Sequence, residues 1–189
     1  VTHTSPNRLQ VILPGETAIQ GKWNVTPYGK TGTPDPQTAG TLFTVTVNGV
    51  DIYWNKVTSL PQSTSTIKIE TNDLYDVHPA NRALIDGSTT FSIVMVTVST
   101  YSVVVGSEAT VNYYPNDPNS SELLTVVPGA KSKLQVLIPG ETQVPGSSTG
   151  KTGNPQCQPA GQSFMINVNG CVNYWNTVTG DNSVKVWVY

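Results

Sequence analysis

Charged side chains are scarce in this chain of 189 residues. Only 12% of the residues are charged, and 10 Lys and Arg against 12 Asp and Glu give a net charge of −2. That share is about half of what globular proteins carry. The sequence has no basic stripe or Lys/Arg run and no signature of a nucleic-acid-binding module, so nucleic acid is not an expected partner.

Long apolar runs are also missing. No stretch approaches the ~20 apolar residues that a membrane-spanning helix needs. The first ten residues, VTHTSPNRLQ, contain neither the basic nor the apolar region of a signal peptide. We therefore expect a mature, soluble segment without a membrane span.

Residues suited to catalysis are few. The histidines are His3 and His78, and neither lies near a recognisable nucleophile motif. The tetrapeptide GKTG occurs at Gly29 and at Gly150, but the spacing of a phosphate-binding loop is not met and a β pattern follows instead of a helix. The sequence predicts no enzymatic activity and no organic cofactor.

What the chain does contain is a long internal repeat. LQVILPGETAIQG from Leu9 returns as LQVLIPGETQVPG from Leu134, and a further stretch ending in YWNKVT returns ending in YWNTVT. A period of about 125 residues is the size of a domain rather than of a solenoid unit. We predict a tail of a preceding repeat at 1–8, a complete repeat at 9–128, a linker at 129–133 and the N-terminal half of a second repeat at 134–189.

Period-2 alternation between turn residues predicts an all-β protein. About seven strands in the first repeat fit a Greek-key β-sandwich of immunoglobulin type, so we expect tandem immunoglobulin-like sandwiches with the second one incomplete. Either the remainder of the second sandwich is missing from this chain, or another chain completes it by strand addition. The predicted strands are Leu9–Leu13, Leu42–Gly49, Thr66–Glu70, Thr89–Val96, Tyr101–Val105, Thr110–Tyr114 and Leu123–Val127.

The same alternation predicts the core. One face of each strand should be buried, and the residues on those faces are Phe43, Val45 and Val47, Ile67 and Ile69, and Phe91, Ile93 and Met95, with Phe164, Ile166, Val168, Val184 and Val186 in the second repeat. The strand around Phe91 is apolar on both faces. It should therefore lie centrally in the sandwich or be covered by a neighbouring domain.

The segments AGTLFTVTVNGVDIYWNKVT, STIKIETND, HPANRALIDGSTTFSIVMVTV and YSVVVGSEATV resemble the bacterial Ig-like repeats of large exported surface proteins. The resemblance covers the first repeat and the front half of the second. It implies an extracellular, cell-surface protein, of adhesin, S-layer or filament-forming type, with neighbouring repeats and identical subunits as partners. Two departures are the missing glycine turn in VTVSTYSVVVGSE and an insertion at Trp23–Tyr28 that the second repeat lacks.

Acidic residues in predicted loops are candidate calcium ligands. Asp73, Asp76 and Asp86 would supply the hard oxygen ligands that calcium prefers. The alternative is that these side chains satisfy the backbone of their own turns.

Two aromatic pairs recur in the repeats, Tyr53–Trp54 and Tyr174–Trp175, each followed by Asn. Each Trp could cap the core of its own sandwich, contact an adjacent subunit, or stack on a sugar ring of a host or cell-surface glycan. A carbohydrate-binding or adhesive module is therefore the alternative to a purely structural role.

Cysteine occurs only in the second repeat, as Cys157 and Cys171. A disulfide between them would fit an exported protein, and two free thiols are the alternative. Since the first repeat has neither cysteine, the domain can be built without them.

The domain-sized repeat and the resemblance to bacterial Ig-like repeats together imply, as the expected function, a structural component of a bacterial extracellular assembly.

Overall fold

The protein is described by a computed structural model, which describes residues 6–58, 66–101, 103–107, 119–180 and 183–187. Across these residues the secondary structure is β-strand and turn, without helix, and the all-β prediction is confirmed. The strands in chain order are β1 (Arg8–Ile12), β2 (Glu16–Ala18), β3 (Lys30–Gly32), β4 (Gln37–Thr38), β5 (Leu42–Val50), β6 (Thr66–Thr71), β7 (Arg82–Ala83), β8 (Ser88–Val94), β9 (Ser99–Tyr101), β10 (Val103–Ser107), β11 (Asn119–Ser120), β12 (Leu124–Val127), β13 (Lys133–Leu137), β14 (Glu141–Gln143), β15 (Lys151–Gly153) and β16 (Asn167–Cys171).

One sheet of the first repeat has the strand order β1-β5-β8, with both pairings antiparallel. In its register Val11 pairs with Val47, and Val45 pairs with Phe91. Apolar residues thus line up across the three strands and form one apolar face, as period-2 alternation requires.

Two further sheets follow, ordered β11-β10-β6-β7 and β4-β12-β9. All their pairings are antiparallel except the short parallel pairing of β4 with β12. β2 and β3, which follow β1 in the sequence, pair with each other as a separate small antiparallel hairpin.

The core joins the first sheet to the other two. One buried cluster contains the predicted core residues of β5, β6 and β8 together with residues of β1, β10 and β12. Sheets that share one apolar core in this way are consistent with a β-sandwich. The predicted core of the first repeat is confirmed, and Phe43, for example, is only 6% exposed.

One strand prediction of the first repeat differs from the structure, and another falls on residues that the structure does not describe. The expected strand Tyr101–Val105 is divided between β9 and β10, which belong to different sheets. The expected strand Thr110–Tyr114 lies outside the described residues. The strand with two apolar faces, β8, ends its sheet rather than lying centrally, and Val96 just beyond it is buried.

The second repeat keeps the local pairing of the first. β13 pairs with β16 in the register that β1 and β5 show, so that Leu134 lies opposite Gly170 as Leu9 lies opposite Gly49. The hairpin of β14 and β15 repeats that of β2 and β3. The repeated sequence therefore encodes the same two-stranded pairings twice.

The core prediction for the second repeat is wrong. Phe164 is 50% exposed and Leu134 is 51% exposed, whereas Leu9 of the first repeat is fully buried. Val184 and Val186 are exposed as well, and Ile166 and Val168 are half-buried. The physical reason is that β6, β10 and β12 cover this face in the first repeat, while no described strand of the second repeat takes their place.

In the described part of the chain, no helix has the length and the apolar character that crossing a membrane requires.

Candidate functional site at the contact between the repeats

Asp73 anchors the loop that follows β6 to the segment that follows β8. Its Oδ2 accepts hydrogen bonds from the backbone amides of Val96 at 2.8 Å and Thr97 at 2.9 Å. Its Oδ1 accepts from the Thr97 hydroxyl at 2.8 Å and from the Tyr75 amide at 3.1 Å. Four donors on a carboxylate that is only 3% exposed make Asp73 a structural anchor.

Asp76 and Asp86 have different local roles. Asp76 accepts from the Thr71 hydroxyl at 2.5 Å and pairs with His78 Nδ1 at 2.7 Å. Burial raises the pKa of the Asp76 carboxyl, against the opposing effects of Thr71 and His78. Asp86 lies at a φ of 49° in the turn that joins Ile85 to Ser88.

The described residues contain no group of three or more His, Cys, Asp or Glu side chains placed to hold a metal ion. The Tyr75 amide is the local backbone group that Asp73 satisfies, as the alternative predicts, while its other bonds reach Val96 and Thr97. Asp76 bonds to the side chains of Thr71 and His78. Calcium binding by Asp73, Asp76 and Asp86 stays a prediction from the sequence.

The two Tyr-Trp-Asn turns have the same backbone. Trp54 and Trp175 both adopt positive φ, at 65° and 62°. Each half-buried indole packs against a glycine of its own repeat, Gly29 or Gly150, in the GKTG tetrapeptide. A cation from the first strand of the same repeat lies over each ring: Arg8 Cζ at 4.8 Å for Trp54 and Lys133 Nζ at 3.7 Å for Trp175.

A buried amide network holds the GKTG segments in place. Gln10 Nε2 donates to the Gly29 carbonyl at 2.7 Å, and Asn48 Nδ2 donates to Gln10 Oε1 at 3.2 Å. The second repeat has the same pair of bonds, from Gln135 to Gly150 at 2.8 Å and from Asn169 to Gln135 at 3.3 Å. GKTG is thus part of the Trp packing in both repeats.

Asn176 connects the second repeat to the first. Its Nδ2 donates to the Val96 carbonyl at 2.6 Å, and its Oδ1 accepts from the Val98 amide at 2.8 Å. Asn176 is 2% exposed, the bond to Val96 is buried and the bond to Val98 is part-buried. An amide that exchanges two hydrogen bonds with one backbone segment fixes both position and orientation.

Two glycines bring the repeats into close approach around Asn176. The ring of Tyr174 lies on Gly40 of the first repeat, where no Cβ would fit. Gly146 of the second repeat lies on Thr97 and the Tyr75 ring, and its amide donates to the Tyr174 carbonyl at 2.7 Å. We call these contacts of Asn176, Tyr174 and Gly146 with the first repeat the inter-repeat joint.

An open cleft of about 500 Å³ lies beside the joint. Its walls combine aromatic and polar side chains from both repeats: Tyr75, Lys133, Ser147, Ser148, Asn173, Tyr174 and Trp175.

Cys157 and Cys171 are free cysteines in the structure, and a disulfide between them is not formed. Cys157 is exposed, whereas Cys171 is buried at the end of β16. Burial raises the pKa of the Cys171 thiol, which disfavours the reactive thiolate.

Of the four aromatic residues singled out in the sequence, Tyr174 lies directly on the other repeat, against Gly40. Sequence reasoning missed Asn176, Gly40, Gly146 and Thr97. The signal that could have identified Asn176 is the residue four positions earlier. That residue is Val172 in the second repeat and Asp51 in the first. A scan against family models and a search of the curated proteins found no match to this chain.

Proposed function

We propose that the chain is a structural segment of a bacterial extracellular assembly, such as a filament, an S-layer or an adhesin stalk, built from tandem Ig-like repeats. The observation that carries this proposal is the inter-repeat joint, in which Asn176 exchanges two hydrogen bonds with Val96 and Val98. Repeats that merely followed one another on a flexible linker would not need a buried, oriented contact of this kind.

The role is mechanical rather than catalytic. Antiparallel ladders such as β5 with β8 hold each repeat together through many backbone hydrogen bonds. Only five residues separate the end of β12 at Val127 from the start of β13 at Lys133. Because the linker is short and the joint is specific, bending between repeats is restricted.

Small-angle scattering of this chain, together with electron microscopy of the native assembly, tests the proposal. We expect one fixed arrangement of the two repeats in solution and a regular filament or lattice in the native material. The matched variant Asn176→Ala should loosen the arrangement without unfolding the first repeat. Flexible, isolated monomers in the native material would contradict the proposal.

A carbohydrate-binding or adhesive module is the second candidate function. The cleft beside the joint favours it, because Tyr and Trp rings with nearby amide and hydroxyl groups are suited to a sugar ring. The packing of Trp54 and Trp175 against their own repeats argues for the structural role instead. A glycan array with no bound sugar would remove this candidate.

A further inference from the structure

The two Tyr-Trp-Asn turns share their backbone hydrogen bonds. In the first repeat the Trp54 amide donates to the Asp51 carbonyl at 3.1 Å, and the Asp51 amide donates to the Asn55 carbonyl at 3.0 Å. In the second repeat the corresponding bonds, from Trp175 to Val172 and from Val172 to Asn176, are both 3.0 Å. Any difference between the turns in what they bind must therefore come from side chains.

Asp51 closes the first turn on itself. Its Oδ1 accepts from the amides of Tyr53 at 2.8 Å and Asn55 at 2.9 Å. The side chain of Asn55 donates to both carboxylate oxygens of Asp51, at 3.3 and 3.1 Å. The donor group of Asn55 is thus used within its own turn.

Val172 occupies the matching position in the second turn, and its side chain offers no oxygen. The side chain of Asn176 points to the other repeat instead, where it bonds to Val96 and Val98. A buried amide without partners costs on the order of 1–3 kcal/mol. With valine at this position, the asparagine of the turn therefore requires an outside partner.

We propose that the residue at position 51 of the first repeat and 172 of the second is a selector for docking between repeats. Aspartate captures the asparagine four residues later and keeps the turn closed. Valine releases that asparagine, which then binds the backbone segment Val96–Val98 of the adjacent repeat. This selection decides which repeats dock on each other, whatever assembly the array builds.

The acceptor segment is prepared for this contact by Asp73. Asp73 binds the amides of Val96 and Thr97, so the carbonyl of Val96 and the amide of Val98 are left facing Asn176. A turn with valine at this position therefore docks on a repeat that presents a backbone carbonyl and a backbone amide in the arrangement of Val96 and Val98. The first repeat of this chain is such a partner.

Amide hydrogen exchange of the whole chain, followed by NMR, tests the selector through the single amide of Val98. The variant is Val172→Asp, which places a carboxylate beside the amides of Tyr174 and Asn176 as Asp51 is placed in the first repeat. We expect exchange at Val98 to become at least about ten-fold faster. The amides of Val96 and Thr97 should keep their protection, because Asp73 still binds them.

Two matched variants distinguish a loss of docking caused by the new carboxylate from general damage to the turn. Asn176→Ala should accelerate exchange at Val98 to the same extent, because it removes the acceptor. Val172→Ala should leave Val98 protected, because it shortens the side chain without adding an oxygen. Equal loss of protection in Val172→Ala and Val172→Asp would overturn the proposal, and so would unchanged protection in Val172→Asp.

The same experiment reports whether the variant turn is folded. The amides of Trp175 and Val178 donate within the second repeat, to Val172 and Gly170. They should stay protected in Val172→Asp. If they do not, the test uses the neutral variant Val172→Asn, whose side-chain oxygen can accept from the same amides. Faster exchange at Val98 and unchanged protection of Val96 and Thr97 are then expected for that variant.

Discussion

The carboxylate of Asp73 holds Thr97 at two points, the backbone amide at 2.9 Å and the side-chain hydroxyl at 2.8 Å. Thr97 in turn lies directly beneath Gly146 of the second repeat. An acidic residue of one loop therefore positions a surface that belongs to the contact between two repeats.

Replacing Asp73 with Ala should lower the free energy of unfolding by about 3 kcal/mol, because several donors would be buried without an acceptor. Chemical denaturation of the whole chain measures the change. Glu70→Ala is the matched control, since Glu70 pairs with Lys68 at the surface and such pairs contribute about 0–1 kcal/mol. A loss for Asp73→Ala no greater than for the control would contradict the assigned role.

An ion pair recurs in the two repeats with different exposure. Lys30 Nζ lies 2.6 Å from Glu16 Oε1 with both side chains buried, and Lys151 lies 2.6 Å from Glu141 with the lysine 41% exposed. Lys30→Met should cost about 3 kcal/mol because it leaves a buried carboxylate unpaired. Lys151→Met should cost clearly less than Lys30→Met, because Lys151 is partly exposed and water can take its place beside Glu141.

Hydrogen exchange at the amides of Leu13 and Ile138, which donate to the two glutamates, localises the effect of each lysine variant. Equal acceleration of exchange at Leu13 and Ile138 would show that burial does not determine how much this ion pair contributes to stability.

Gly40→Ala should displace Tyr174 from the first repeat. Gly40 has a φ of 79°, and a Cβ there would overlap the Tyr174 ring. Gly161→Ala is a matched control, because Gly161 has a φ of 78° and open space around it, so only backbone strain is added. Nuclear Overhauser contacts between residue 40 and the Tyr174 ring should vanish in the first variant and persist in the second.

The two cysteines should differ in reactivity. Cys157 is exposed, while burial hides Cys171 and raises the pKa of its thiol. A thiol reagent should modify one cysteine per native chain and both after denaturation, as counted by mass spectrometry. A chain with no reactive thiol when denatured without reductant would instead contain the disulfide.

Asp76 should make stability depend on pH in the acidic range. Its pKa is raised above the ordinary value of 3.8, chiefly by burial. The folded state then binds the proton more tightly than the unfolded state, so this contribution to stability is present below 3.8 and is lost as pH rises through the raised pKa.

Asp76→Asn should remove this slope in denaturation curves measured across that window. His78→Gln should extend the window to higher pH, because the attraction to His78 lowers the pKa of Asp76 in the folded state. Identical pH profiles for the wild type and Asp76→Asn would contradict the assignment.

Much of the first repeat could be predicted because alternation alone places Phe43, Val45 and Val47 on one face of a strand. The division of Tyr101–Val105 between two sheets could not, since β9 and β10 are consecutive in sequence and differ only in their partners. The exposure of Phe164 was missed for the same reason, because burial depends on strands distant in sequence.

The sequence by itself determined the repeat, the all-β fold and the local pairings that recur in both copies, because these depend on alternation and on turns within short stretches. Only the tertiary structure decided which residues join the repeats. Asn55 and Asn176 are the same residue in the same turn, yet one bonds to Asp51 four residues away and the other to Val96, 80 residues away. That choice depends on which donors and acceptors the fold brings together across the joint.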